Sequence, residues 1–173
     1  MDVQLYRSAP PPLPLTLVLA LPRPKALKRV LRSATALGVK RIILFNCFRV
    51  EKSYWQSPVL SSDLIQEQLI LGLEQSQDTH LPEVLLRPLF KPFVEDEVPS
   101  LIKGTLPFVA HPTAFTPCPR DIKKATTLAI GPEGGFINYE MDKLIQCGFT
   151  PIHMGDRLLS VETAVPVLIS RLY

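Results

Sequence analysis

Two stretches of this 173-residue chain combine chemically useful residue types at a usable spacing. The first is Leu128-Ala129-Ile130-Gly131-Pro132-Glu133-Gly134-Gly135-Phe136. An apolar run ends in three glycines, a proline and a carboxylate. Gly131, Gly134 and Gly135 tolerate positive φ and let a ligand lie against the backbone. Pro132 stiffens the turn, and Glu133 sets a carboxylate beside exposed N–H donors. No Gly-Lys-Ser/Thr follows and no Gly-x-Gly-x-x-Gly is present, so neither common phosphate-binding loop is supported. An ordinary tight turn accounts for a lone Gly-Gly; five specific residues after a strand go beyond it. The second stretch is Met154-Gly155-Asp156-Arg157-Leu158-Leu159-Ser160-Val161-Glu162-Thr163-Ala164. A short strand ends at glycine and a helix starts near Ser160. Ser160 reads as its N-cap and Glu162 as a first-turn acid favoured by the helix dipole. Capping explains those two residues and leaves Arg157 without a structural reason.

Two further segments are weaker. Val109-Ala110-His111-Pro112 places a histidine at a strand end, where a proton carrier can stand, although an ordinary half-exposed loop histidine is commoner. Lys25, Lys28, Arg29 and Arg32 share one helix face, followed in sequence by Arg49, Lys52, Tyr54 and Trp55. Cations with adjacent aromatics suit RNA, whose phosphates take the charge and whose bases stack. A solvated basic face, with Trp55 in the core or at a dimer contact, fits the same pattern. Arg23, Lys25, Lys28 and Arg32 are the RNA-binding candidates. The charge is lopsided: residues 1–60 hold ten Lys and Arg against two acids, the rest nine against fourteen. Such asymmetry points to a polyanion on one side of the molecule.

These segments need a scaffold, and the hydrophobic pattern supplies one. Short apolar runs at 15–21, 41–45, 83–86, 107–110, 127–130 and 151–154 read as strands. Helical spacing appears at 24–37, 61–73, 94–102, 139–147 and 161–172. In the first helix Leu27, Val30, Leu31, Ala34 and Leu37 form the apolar stripe, and Gly38 ends it. Strands apolar on both faces, alternating with helices, predict an α/β fold: a mostly parallel sheet with helices on both faces. Ligands then sit at the carboxyl ends of strands, in the loops after 110, 130 and 154.

Composition bounds the rest. With 46% hydrophobic and 20% charged residues the chain is neither disordered nor collagen-like. Six of its 18 prolines fall before residue 25, and Ser8 to Pro14 reads as a stiff linker after a strand tail at Val3-Gln4-Leu5. The apolar run Leu13 to Leu21 is far short of the roughly 20 residues a membrane helix needs. No secretory signal is evident, so the expectation is a soluble cytoplasmic protein with no membrane partner. Cys47, Cys118 and Cys147 are widely spaced, which argues against a disulfide framework and against a metal site.

Taken together the chain resembles the 16S ribosomal RNA uridine N3-methyltransferases (the RsmE type) of the SPOUT superfamily. The resemblance rests on Pro22-Arg23-Pro24-Lys25 through Ala36-Leu37-Gly38-Val39, on Glu74-Gln75-Ser76, and on the two glycine stretches in this order. It runs from about residue 15 to the C-terminus. It implies a C-terminal trefoil knot, a homodimer with the knot at its interface, and S-adenosylmethionine as cofactor. The cofactor residues it implies are Val109, His111, Pro112, Ile130, Gly131, Gly134, Gly135, Met154, Gly155, Leu158 and Leu159. It implies methyl transfer to a 16S uridine on the small ribosomal subunit, with Arg157 stabilising the uracil oxygens and Glu133 or Glu162 accepting the N3 proton. A PUA-like N-terminal domain normal to the family is expected to be missing, with residues 1–14 as its linker stub and 15–173 as the SPOUT domain. The chain departs from the family twice: Ser76-Gln77-Asp78 stands for Ser-Gly-Arg, and Ser160 for an arginine. Two alternatives stay open on the residues: an RNA- or cofactor-binding chain that methylates weakly or not at all, and a SPOUT enzyme acting on another RNA.

Overall fold

The computed structural model describes residues 8–173; the strand tail expected at Val3-Gln4-Leu5 lies outside them. Seven strands form one parallel sheet: β1 (Leu13–Ala20), β2 (Val39–Phe45), β3 (Glu83–Arg87), β4 (Leu106–Ala110), β5 (Thr116–Pro117), β6 (Thr126–Ile130) and β7 (Thr150–His153), in the order β3-β2-β1-β6-β4-β7-β5. Central β1 is paired on both edges, Leu17 lying between Ile42 and Leu128. Helix layers cover both faces, which is why its residues 17–20 are all fully buried.

One layer holds α1 (Pro24–Ala36), α2 (Ser62–Ser76) and α6 (Val161–Leu172), with α1 packed against both others. The other holds α3 (Phe90–Pro92), a π-turn at Phe93–Glu97, α4 (Val98–Leu101) and α5 (Asn138–Gln146). Lys143 of α5 lies 2.9 Å from Glu95, and the Phe45 ring stands 5.4 Å from Phe93. This helical segment starts four residues before the expected Val94. Its π-turn precedes Pro99, which donates no hydrogen bond and crowds the carbonyl four residues back.

Several boundaries need correction. Residues Leu13 and Pro14 belong to β1, so the linker read at 8–14 ends at Pro12. The apolar stripe of α1 is buried at Leu27, Val30, Leu31 and Ala34, but Leu37 is exposed beyond the helix end. There Gly38 turns the chain at φ +87°. The 3₁₀ turns Lys52–Gln56 and Pro58–Leu60 and the two-residue β5 are too short for any periodicity to reveal. Ser61 caps α2, accepting from the Leu64 N–H at 3.4 Å. At its far end Gln77 adopts the left-handed conformation, φ +55°, for which the related family's glycine is suited. Asp78 pairs with Lys40 at 2.5 Å.

The α1–α2 contact is tight because Gly72 faces α1. A Cβ there would stand 2.7 Å from both the Arg32 carbonyl and Thr35 Cβ. Thr35 itself is fully buried, and its hydroxyl has no hydrogen-bond partner. Replacing Thr35 by valine keeps the shape and removes an unsatisfied polar atom. It is expected to raise unfolding stability by about 1 kcal/mol, read as a higher denaturation midpoint at unchanged m-value.

The C-terminal end of α6 is held from several sides. Leu172 O accepts from the Ile122 N–H at 2.7 Å, and the Tyr173 hydroxyl donates to Pro14 O at 2.9 Å. Its N-terminal end reaches the loops at the carboxyl edge of the sheet.

Candidate active site

Strands β4, β6 and β7 end side by side, so the loops after Ala110, Ile130 and His153 meet at one edge. Between them and the start of α6 lies a cleft of about 460 Å³. His111, Pro112, Ile130, Gly131, Gly134, Gly135, Met154, Gly155, Leu158 and Leu159 all line it, together with Glu133 and Arg157. Three loops separated by up to about fifty residues in sequence thus converge on one space. Gly135 (φ +73°) and Gly155 (φ +103°) hold backbone conformations that side chains avoid, and a Cβ on either would project into open space.

Two expected members are placed elsewhere. Val109 points into the core, fully buried, while its neighbour Ala110 lines the cleft; successive strand residues face opposite ways. Glu162 also lies outside the cleft lining. Its Oε1 is 3.6 Å from Arg23 and 3.8 Å from Arg29, so it joins α6 to the start of α1. Its own backbone N–H, against the opposing effect of burial, holds its carboxyl below the usual range, with help from Ser160 and the two arginines. Phe136, Ile152, His153, Val161, Ala164 and Leu168 line the cleft without having been singled out. Apart from Phe136, which is in the loop before α5, they come from strand ends and helix faces that a pattern search assigns to the core.

The polar groups are fixed. Glu133 Oε1 accepts from the Arg23 N–H at 3.1 Å. His153 Nδ1 accepts from the Gly155 N–H at 3.0 Å and secures that turn. His111 Nδ1 accepts from the Thr113 N–H at 3.4 Å, and burial pushes its pKa below the ordinary histidine value. Burial thus favours the neutral form of this imidazole. Arg157 is exposed, and no carboxylate lies within 4.0 Å of it among the described residues. Ser160 occupies the N-cap position of α6, but its hydroxyl meets Thr163 Oγ1 at 3.0 Å and bonds no backbone N–H, contrary to the capping role expected of it.

A second turn braces the first. Glu140, almost fully buried, accepts from the Phe48 N–H at 2.7 Å and from the Ile137 N–H at 3.1 Å. Arg49 donates to the Gly134 carbonyl and lays its stem against Gly134. Of the basic candidates, Arg23 is engaged with Glu133 and Glu162, and Arg32 donates to Gln68 at 2.7 Å. Lys25 and Lys28 are exposed, with no acidic partner within 4.0 Å among the described residues. Trp55 is half-buried and its indole N–H is taken by Asn46 at 2.9 Å, so it belongs to the scaffold.

A parallel α/β sheet with glycine turns around a cleft at its carboxyl edge defines a class, and comparison with known proteins names it. The family model for the RNA methyltransferase domain matches residues 9–173. A ribosomal RNA small subunit methyltransferase E from Treponema pallidum is 32% identical over 157 residues, 87% of this chain and 58% of that protein. The corresponding protein of Synechocystis is 29% identical, over 93% of this chain and 53% of its own length. The crystal structure of the methyltransferase E of Neisseria gonorrhoeae bound to S-adenosyl methionine superposes with a TM-score of 0.73 at 20% identity, covering 95% of this chain and 66% of that one. The SpoU methyltransferase AviRb of Streptomyces viridochromogenes gives 0.61 at 17%, covering 91% and 57%. The fold is the one these methyltransferase structures share. The chain belongs to the RNA methyltransferase domain family. It spans between half and three-fifths of the length of these two sequence relatives.

Proposed function

We propose that this chain carries S-adenosylmethionine-dependent methyl transfer to N3 of a uridine in 16S ribosomal RNA, acting in the cytoplasm on the small ribosomal subunit. The observation that carries the reading is the cleft the two glycine turns share, with Arg157 on its wall free of any carboxylate within 4.0 Å among the described residues, in a chain of this family. The residues fit the cofactor. Gly135 and Gly155 leave bare backbone where a side chain would fill the space, and Ile130, Phe136, Leu158 and Leu159 offer apolar walls. The volume is within the usual range of about 300–1,000 Å³ for small-molecule sites.

Once bound, the cofactor supplies an already activated, electrophilic methyl group. What remains for the protein is mostly orientation, which can contribute about 7–11 kcal/mol in favourable cases. Main-chain groups of 131–135 and 154–155 bind and orient, while the apolar walls exclude water. Arg157 offers a fork of donors to a uracil oxygen as that oxygen gains charge. Glu133, at the rim, takes the N3 proton directly or through one water. Glu162 tethers Arg23 and Arg29 and so aligns the mouth of the cleft. Lys25 and Lys28, and Arg23 beside them, face the RNA backbone; Arg32 contributes mainly through α2.

The reading includes a homodimer and a knotted C-terminal passage. Supporting both, the 118–124 segment bonds the end of α6, and Leu158 (80% exposed), Leu159 and Val167 leave apolar surface around its start and flank. Light scattering is expected to give twice the chain mass at micromolar concentration; a stable monomer removes the dimer from the reading. The function itself is tested by calorimetry with S-adenosylmethionine and by labelled methyl incorporation into small ribosomal subunits lacking the modification. No cofactor binding refutes the reading at its base. Cofactor binding, with methylation of another RNA and none of 16S, redirects the substrate.

A further inference from the structure

The turn that braces the cofactor loop also displays an aromatic ring. Residues 46–50 follow β2 at the same carboxyl edge of the sheet. Within this turn Cys47 and Val50 are buried, at 2% and 7% exposure, while Phe48 between them is 77% exposed. An exposed phenylalanine in a well-anchored turn gains nothing for folding. Its backbone is anchored: the Phe48 N–H donates to the buried Glu140 carboxylate, whose other oxygen holds the Ile137 N–H just after the glycine turn. The next residue, Arg49, touches Gly134 on the cleft wall. The ring thus stands on an anchored backbone, is open to solvent, and is followed by a residue that touches the cleft wall.

We infer that Phe48 is a base-stacking residue for single-stranded RNA, positioned beside the methyl-transfer cleft by Glu140 and Arg49. The inference rests on RNA being the substrate of that cleft. The chemistry of the surroundings favours a nucleic acid over an apolar partner. Lys52, four residues on, is exposed without an acidic partner among the described residues, and the first sixty residues carry the chain's excess of cations. A flat ring with Arg49 and Lys52 close to it in sequence matches an unpaired base with its phosphates. Because the turn is already held, docking a base on it orders little else. Tyr54 and Trp55, the aromatics that sequence alone offered for stacking, are packed against the core.

The test compares the parent chain with Phe48→Ala and Phe48→Trp, using a short single-stranded oligouridylate, S-adenosylmethionine and thermal unfolding. Phe48→Ala is expected to weaken oligonucleotide binding about tenfold, a typical loss for one base–aromatic stack, with cofactor affinity and melting temperature unchanged. Phe48→Trp is expected to retain affinity, its indole fluorescence quenching on RNA addition. Equal RNA affinity in parent and Phe48→Ala overturns the inference and leaves the methyltransferase reading standing. A parent that binds cofactor but no RNA overturns both. Conversion of a dimer to a monomer by Phe48→Ala reassigns the ring to a contact between copies.

Discussion

Substituting Gly134 with valine is expected to weaken S-adenosylmethionine binding by about tenfold or more, equivalent to at least about 1.4 kcal/mol. A Cβ at 134 would stand 3.0 Å from Arg49 Cδ and 3.3 Å from Arg49 Cβ. The Cδ belongs to a flexible stem, but the Cβ is tied to the backbone of the 46–50 turn, which Glu140 holds in place. Valine's two branches add to this crowding, so the 131–135 turn must move. The Gly134 carbonyl then loses its Arg49 donor, and the backbone lining the cleft shifts with it. Calorimetric titration reads the loss directly. The fold is expected to survive, since Arg49 is exposed and the displaced turn lies at the edge of the sheet. Unchanged cofactor affinity in Gly134→Val, with the variant folded, shows that the cofactor does not lie against this turn.

The second large effect is a gain. The parent chain is expected to methylate small-subunit RNA weakly, and Ser160→Arg to raise the single-turnover rate by about a hundredfold, the scale of one donor aimed at developing charge. Ser160 is on the cleft wall beside Leu159, at the N-cap of α6. Arginine there supplies a charged fork with a reach that serine lacks. Little is lost in exchange, because the serine hydroxyl caps no backbone N–H and its help to Glu162 is shared with that residue's own N–H and two arginines. Stability should therefore stay within about 0.5 kcal/mol, as for an exposed substitution without a special role. Adding Arg157→Ala in that background is expected to remove the gain, since both cations act on the same charge. Equal rates for parent and Ser160→Arg, with normal cofactor binding, show that this arginine is not what limits the chain. A parent that is fully active assigns the essential cation to Arg157.

Element type, strand direction and the two glycine turns are legible in the amino-acid order. Leu15 to Leu21 and Thr127 to Ile130 are apolar without alternation, which only strands covered on both faces tolerate. Gly131, Gly134, Gly135 and Gly155 mark places where the backbone must lie bare, and the structure draws all four into one cleft. What the order of residues could not decide was adjacency. Ile152 and Leu168 read as core because burial and cleft lining both select apolar side chains; only the strand order β6-β4-β7 and the return of α6 separate the two. Glu162 read as a first-turn acid of α6, with proton acceptance the role the resemblance added. The approach of α1 to α6 brings Arg23 and Arg29 to its carboxylate and leaves it outside the cleft lining. Trp55 and Phe48 are both aromatic and both near cations, yet one donates to Asn46 against the core and the other stands in solvent. Local sequence determines which conformations a segment can hold. Which side chains share a space, and which charges meet, follows from the sheet order and helix packing that bring distant segments together.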